Sequence, residues 1–166
     1  RDDYVGAIEK VRSNVPNARI TTDIIVGYPT ETEYDFELTT EICNEVNFSD
    51  VHVFRYSSRP GTTAYYLHDS IEPNTKSDRS RKLRELSKKH ADKFRRDYVG
   101  CEAQVLWEKK HSSDTKPRSF YSGLTENYLR VRCESSDDLT GLITSVYIKE
   151  YDPHSNTLLV DLTGPV

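Results

Sequence analysis

The sequence predicts an α/β segment followed by an all-β one: the closing βα units of a partial parallel barrel, a long basic helix, and a small antiparallel, OB-like β-barrel. Three observations carry that prediction. Residues 1–74 alternate helix-period and strand-period segments with short connections, the order that gives parallel strands joined by right-handed crossovers. Residues 75–98 hold ten Lys/Arg against four Asp/Glu and only a narrow apolar stripe. From Tyr98 onward, apolar residues recur at every second position in four or five short runs, the pattern of a small closed Greek-key barrel over 99–166.

Tyr4–Val15 reads as a helix, with Tyr4, Val5, Ile8, Val11 and Val15 near a 3.6-residue repeat and Pro16-Asn17 as its stop. Ile20–Val26 is a β-branched run of the kind found in strands covered on both faces. Asp23 interrupts it, and a carboxylate there requires a partner or a polar cavity. Gly27 permits close backbone approach, while Pro29 ends the strand and biases Tyr28 towards an extended conformation. Thr30-Glu31-Thr32-Glu33 fits a capping box with Thr30 as N-cap, opening a helix from about Glu31 to Asn47. Phe36, Cys43 and Val46 form its apolar stripe, with Leu38 and Ile42 beside it. A second strand follows at Val51–Tyr56. Two parallel strands do not make a stable sheet alone, so this segment reads as the last units of a barrel begun earlier in a longer chain. Sites in such folds gather at the carboxyl ends of strands, which singles out the turn after Val26. An ordinary βα connection around a structural glycine fits the same residues. Arg55 and Arg59 flank the polar turn Ser57–Thr62, either as solvated side chains or as a cationic rim over a carboxylate or phosphate.

The helix over 75–98 carries Leu83, Leu86, His90 or Ala91, Phe94 and Tyr98 on its stripe. Its cations, Lys88 and Lys89 among them, suit either a solvated face with partial i,i+4 pairing or a polyanion contact. Beyond it, Cys101, Ala103, Val105 and Trp107 alternate with polar residues in Gly100–Glu108, and Lys109–Arg118 reads as a loop. Phe120–Leu124 is a short strand. Asn127–Cys133 alternates again, with Leu129, Val131 and Cys133 on one side and Tyr128, Arg130 and Arg132 on the other. Leu142–Tyr151 and Thr157–Leu162 form a hairpin around 152–156. The Tyr128/Arg130/Arg132 face interleaves a stacking surface with cations, as recognition of single-stranded RNA requires.

The net charge of −4 divides into −7 for 1–74, +6 for 75–98 and −3 for 99–166, so one basic segment lies between two acidic ones. Charged residues make up 30% and mean hydropathy is −0.73, which places much of the chain at the surface. No run approaches the roughly 20 apolar residues of a membrane span, and no signal peptide is recognisable. Cys43, Cys101 and Cys133 match no zinc or cluster spacing, and are expected as buried or half-buried thiols in a reducing, cytoplasmic setting. The five histidines share no ligand spacing, His52 being the one nearest a possible site, and no nucleophile–His–acid set, Walker loop or dinucleotide fingerprint is present. No catalytic residue and no metal ligand is assigned.

Taken in order, TTDIIVGYPTETEYDF, HVFRYSSRPGTTA, the basic helix, VLWEK and GLTENYLRV resemble the carboxyl-terminal part of the radical-SAM methylthiotransferases that modify tRNA. The family motifs run approximately TDIIVGFPGET, HVFxYSxRPGTPA and GLTxNYxxV, and the likeness extends over essentially the whole chain. It implies the end of a radical-SAM barrel over 1–74, a connecting helix over 75–98 and a TRAM RNA-binding barrel over 99–166. It further implies S-adenosyl-L-methionine and two [4Fe-4S] clusters in the parent enzyme. The tRNA anticodon stem-loop is the implied partner, with a methylthio group added to a modified adenosine beside the anticodon. A sister branch modifies a ribosomal protein. The HVFRYSSRPGT and GLTENY forms resemble more the branch acting on threonylcarbamoyladenosine.

Carried over by position, Asp23, Ile25 and Gly27 fall on the strand beside the adenosyl group, and Glu31 on the acidic end of the following turn. Val53, Phe54 and Tyr56 fall on the last barrel strand, and Arg59, Gly61 and Thr62 on its turn. The resemblance implies cofactor contact for Asp23, Ile25, Gly27, Glu31, Val53, Phe54, Tyr56 and Arg59. RNA contact is implied for the TRAM barrel, where the alternation selects Tyr128, Arg130 and Arg132, with Lys88 and Lys89 added from the helix. Two positions depart from the pattern: Thr30 stands for a glycine and Thr63 for a proline. The chain lacks the CxxxCxxC loop that anchors the radical-SAM cluster, so it is expected to be inactive alone and to bind no cluster. A stand-alone RNA-binding or adaptor module is the alternative.

Overall fold

The computed structural model describes residues 1–69, 71–111 and 119–164. Elements follow in the order α1 (Asp2–Asn14), β1 (Thr21–Val26), α2 (Glu33–Val46), β2 (Asp50–Arg55), a short 3-10 turn (Thr63–Tyr66) and α3 (Pro73–Asp97), then β3 (Glu102–His111), β4 (Ser119–Thr125), β5 (Arg130–Ser135), β6 (Ile143–Asp152) and β7 (Thr157–Leu162). They divide into two compact units, Arg1–Ala91 and Asp92–Val166, with the division inside α3.

In the first unit β1 and β2 are parallel neighbours in the register Asp23↔His52, Ile24↔Val53 and Ile25↔Phe54. One face of this pair is covered by helices. Val26, Val51 and Val53 pack there with Ile8 of α1, Phe36, Cys43 and Val46 of α2, Phe48, and Leu83 of α3. On the other face Thr21, Asp23, Ile25, His52 and Phe54 are exposed, so among the described residues the cover expected on both sides is present on one. Side chains alternate across a strand, and Thr21, Asp23 and Ile25 all point to the uncovered side. Asp23 is therefore exposed rather than buried, and its carboxylate needs no compensating partner.

Helix boundaries shift for identifiable reasons. The N-cap of α2 is Thr32, not Thr30: Thr32 Oγ1 accepts from the Asp35 N–H, and the Asp35 carboxylate accepts from the Thr32 N–H at 2.9 Å. Thr-x-x-Asp closes the box in place of Thr-x-x-Glu, because Glu33 is engaged elsewhere. The helix ends where Asn47 adopts a left-handed φ of 56° and its N–H bonds to the Cys43 carbonyl. In α1 only Ile8 is buried, while Tyr4, Val11 and Val15 of the expected stripe are exposed. Polar contacts supplement that single anchor, from Arg1 to Glu41 and Glu45 and from Arg12 to the Asn47 carbonyl. The α3 stripe also differs from its expected form. Arg79, Ser80 and Ser87 are buried beside Leu83 and Ala91, whereas Leu86 is only half-buried.

The second unit is a closed five-stranded barrel in the order β3-β4-β5-β7-β6. This order is compatible with a small five-stranded Greek-key barrel of the OB type. The pairs are antiparallel except β5–β7, which is parallel through Val131↔Leu158 and Arg132↔Leu159, a correction to the all-antiparallel expectation. The inward residues are largely the expected ones. Val105, Trp107, Tyr121, Leu129, Val131, Cys133, Leu139, Val146, Ile148, Leu158 and Val160 fill the interior. Trp107 is fully buried and donates its indole N–H to Thr144 Oγ1 at 2.8 Å, so its one polar atom is satisfied. Cys101 precedes β3 and is exposed, unlike Cys43 and Cys133, so the expectation of three sheltered thiols fails there. Strand β3 runs on through Lys109–His111, shortening the expected loop, whose remaining residues 112–118 lie outside the described residues.

Gly123 is where this barrel has least room. A Cβ there would lie 2.4 Å from the Leu106 carbonyl oxygen and 2.8 Å from a Val105 methyl, neither of which can withdraw from a paired strand. Gly123→Ala should lower the stability of the barrel by about 1–3 kcal/mol, the usual cost of overpacking, read as a shift in the urea midpoint.

Candidate functional site

The carboxyl ends of β1 and β2 converge on a turn held from below by α3. Gly27 has φ +75°, a conformation that disfavours any side chain, and a Cβ would fall 2.4 Å from Lys76 Cγ. The close approach expected at this glycine is thus made by the Lys76 stem. Lys76 then forms an ion pair with Asp69 and lies 5.4 Å above the Tyr56 ring. Tyr56 itself donates its hydroxyl to the Ala64 carbonyl at 3.0 Å and packs edge-on against Tyr28. Thr30 is not among the residues with positive φ, so threonine is accommodated in the turn without left-handed strain.

Glu31 is the centre of this turn. Its carboxylate accepts the Gly27 N–H at 2.6 Å and an Arg79 N–H at 2.6 Å. Arg79 also donates to the Glu31 carbonyl at 3.2 Å and to Glu33 at 2.9 Å, and its guanidinium stacks over Phe36 at 5.4 Å. Burial opposes the charge on Arg79, but hydrogen bonds to Glu33 and Glu31 outweigh it and raise its pKa above the ordinary arginine value. Side-chain exposures of 7% for Arg79 and 10% for Glu31 make this a buried pair, so removing one partner strands the other. Arg79 is invisible to sequence reading. The only signal is a charged residue at i−4 from Leu83 on the stripe, and its partners lie 46 and 48 residues away.

The positions assigned to the cofactor separate into three groups. Asp23, Ile25 and Phe54 share the open face of β1–β2, where Ile25 and Phe54 are register partners with exposures of 56% and 53%. Gly27, Glu31 and Tyr56 belong to the turn just described. Val53 is buried on the helix side of β2, the face opposite Phe54, and Arg59 is exposed in the following turn. Strand alternation forbids Val53 and Phe54 from presenting side chains to one ligand. Arg55, the strand's last residue, donates to Ser77 Oγ at 3.1 Å.

On the barrel, Arg130 and Arg132 point outward from β5, as alternation predicts. Arg132 lies over the Phe120 ring of β4 at 5.6 Å, a guanidinium–aromatic platform completed by a residue not singled out from sequence. Phe120 and Arg132 line a groove of about 640 Å³ with Glu134, Lys149 and Asp161. Tyr128 is not part of the strand face. It occupies a turn with φ 62° and is 69% exposed, so the alternation read from Asn127 begins only at Leu129. In the first unit, Lys88 and Lys89 are exposed on α3.

None of the cysteines offers a ligand set. Burial raises the Cys43 and Cys133 thiols to about 11, each within the core of its own unit. Among the described residues no group of three or more His, Cys, Asp or Glu is placed to hold a metal ion, and no helix is long and apolar enough to cross a membrane.

No protein-family model matches the chain. Curated relatives do. The chain is 36% identical over 148 residues to the tRNA-2-methylthio-N(6)-dimethylallyladenosine synthase of Clostridium tetani, covering 89% of this chain and 32% of that protein. It is 32% identical over 145 residues to the threonylcarbamoyladenosine tRNA methylthiotransferase of Bacillus subtilis, covering 87% and 32%. The corresponding Thermotoga maritima protein is 42% identical over 106 residues, covering 64% of this chain and 24% of that one. The chain therefore spans about a third of the length of the curated relatives it matches.

Arg79→Ala should leave Glu31 buried without its cation and destabilise the first unit by about 3–5 kcal/mol in urea unfolding. A wild-type midpoint would assign the pair no role in holding the turn. His90 gives a pH signature. Burial, then the neighbouring Lys89, lowers its pKa below 6.5, and its Nδ1 lacks a hydrogen-bond partner. The folded state disfavours the imidazolium, so stability is complete above 6.5 and falls as pH drops from there towards the folded pKa. His90→Gln should flatten thermal stability across that window, whereas an unchanged slope would assign it to other groups.

Proposed function

Homologous over most of its length to a segment of the tRNA methylthiotransferases, this chain is, we propose, the carboxyl-terminal portion of such an enzyme, contributing one wall of the adenosyl pocket and the RNA-binding domain. The observation that carries this reading is the open face of β1–β2. There an exposed Ile25–Phe54 pair lies at the carboxyl end of two parallel strands beside the Asp23–His52 pair, so apolar side chains adjoin one carboxylate and one imidazole on a side that no helix covers among the described residues. Such a face suits an adenine ring against Ile25 and Phe54, with Asp23 available to accept a hydrogen bond from a ribose hydroxyl or an ammonium.

The group with which this fits is S-adenosyl-L-methionine, which supplies the radical chemistry in these enzymes when bound with their clusters. Within this chain the roles are narrower. Ile25 and Phe54 exclude water, Asp23 orients, and Glu31 with Arg79 fixes the Gly27 turn that borders the face. The two [4Fe-4S] clusters of the family find no fitting ligands in Cys43, Cys101 and Cys133, and on this reading they are held by the part of the parent outside this chain. Domain roles follow the sequence division: barrel end over 1–74, connecting helix over 75–98, RNA-binding barrel over 99–166. The RNA partner is the anticodon stem-loop of tRNA in the cytoplasm, contacted by Arg130, Arg132 and Tyr128 with Lys88 and Lys89. The Arg132–Phe120 platform supports this, since a guanidinium over an aromatic ring can extend a base stack.

Arg130→Ala combined with Arg132→Ala should weaken tRNA binding and lower the log–log salt slope by roughly 0.7–0.9 for each phosphate no longer neutralised. Unchanged affinity and slope in the folded variant would rule out this face. In the full-length parent, Asp23→Ala should impair S-adenosyl-L-methionine turnover and binding, and normal values for both would make Asp23 a residue of the scaffold alone.

A further inference from the structure

Where β2 ends, α3 and the strand enclose a basic groove that the cofactor reading leaves unused. It has a volume of about 500 Å³ and is lined by Arg55, Ser77, Ser80, Arg81, Arg84, Glu85 and Lys88. Three of these are arginines, Arg55, Arg81 and Arg84, and only one, Glu85, is a carboxylate. Glu85 is engaged with Arg81, whose other partner is Asp78, so its charge is locally balanced. Arg84 donates to the Val53 carbonyl at 3.3 Å, which pins its guanidinium at the groove while leaving further N–H donors. Arg55 is steadied by its bond to Ser77.

The floor distinguishes this groove from a merely solvated basic face. Ser80 is only 3% exposed, lines the groove, and its hydroxyl has no hydrogen-bond partner. A buried hydroxyl without a partner forfeits about 1–3 kcal/mol, and buried polar groups are paired with few exceptions. An acceptor entering the groove would satisfy it. The preferred acceptor is anionic, because several guanidinium and ammonium donors converge on the same space, and tetrahedral because they approach from different directions.

We propose that the Arg55–Ser80–Arg84–Lys88 groove is a phosphate site that grips one phosphodiester of the RNA substrate. This rests on the reading that the chain belongs to a tRNA-modifying enzyme. Phe54 and Arg55 are consecutive residues of β2, so their side chains leave on opposite faces of one strand end. A backbone phosphate held by Arg55 on the helix side would anchor the RNA next to the rim of the face offered by Ile25 and Phe54. Base chemistry at one side of the strand end and phosphate capture at the other share a single support.

The test measures binding of an unmodified tRNA transcript to the full 166-residue chain as a function of salt, with inorganic phosphate as a second probe followed by the Ser80 and Arg84 amide signals. Arg55→Ala with Lys88→Ala removes two exposed cations and should lower the log–log slope by roughly 0.7–0.9 per phosphate released. Ser80→Ala should weaken tRNA binding about tenfold at unchanged slope, since it removes a neutral donor to a charged acceptor. Lys10→Ala with Arg12→Ala takes the same charge from α1 and should leave affinity and slope as in the wild type. Wild-type affinity and slope in both groove variants, or an equal loss from the α1 variant, would overturn the groove while leaving RNA binding intact. Phosphate shifts at Ser80 without any tRNA binding by the wild type would overturn the RNA reading and this assignment with it.

Discussion

The first unit depends on one buried charge. Arg79 lies on the face of α3 that packs against the sheet, and without its carboxylates a guanidinium in that position would be untenable. Glu31 resolves the problem and creates a constraint. The oxygen that neutralises Arg79 also accepts the Gly27 N–H, so helix, turn and strand end are joined through a single carboxylate. Lys76, one turn earlier on α3, occupies the volume a side chain at Gly27 would need. The basic helix therefore shapes the carboxyl end of the sheet, and the positive surplus in 75–98 is only partly a solvated face. Some of it is structural, at Lys76 and Arg79, and the groove around Arg84 is supported by the same helix.

Strand pairing differs between the two units. Closure gives every strand of the barrel a partner on both sides, and its interior is filled by Trp107, Tyr121 and the aliphatic residues around them. The parallel β5–β7 contact lets the last strand of the chain slot beside β5 rather than close on its sequential neighbour alone. In the first unit β1 and β2 pair with each other along their full lengths. Among the described residues β2 pairs only with β1, and the Arg84 guanidinium bonds to the Val53 carbonyl. The second unit is ordered by its own hydrophobic interior, whereas the first relies on helices against one face and on long-range ion pairs.

What can be read from the sequence follows from period and punctuation. The alternation in Gly100–Glu108 correctly places Val105 and Trp107 inside, and VHVFRY announces a strand parallel to the one ending at Val26. Interactions that span distant segments are not legible. Nothing local to Arg79 points to Glu31, and nothing local to Phe120 points to Arg132, because pairings are set by register and packing. The cap of α2 is ambiguous in sequence, since Thr30 and Thr32 both precede an acidic residue by three positions. Only the capture of Glu33 by Arg79 decides between them. Alternation alone puts Tyr128 on a strand face, because it carries no information about a left-handed residue within the run.

The open face of β1–β2 argues most directly for function. Apolar side chains at the surface are ordinary when scattered, but Ile25 and Phe54 are register partners on one side of a parallel pair. A carboxylate two residues from Ile25 would be a poor choice for a face that simply packed against more protein. Beside a bound ligand it is a directional contact. On the function proposed above, Asp23 and Ile25 belong to one wall with a polar ligand against it. The turn that borders this face is held by the buried Glu31–Arg79 pair, which ties the end of β1 to α3.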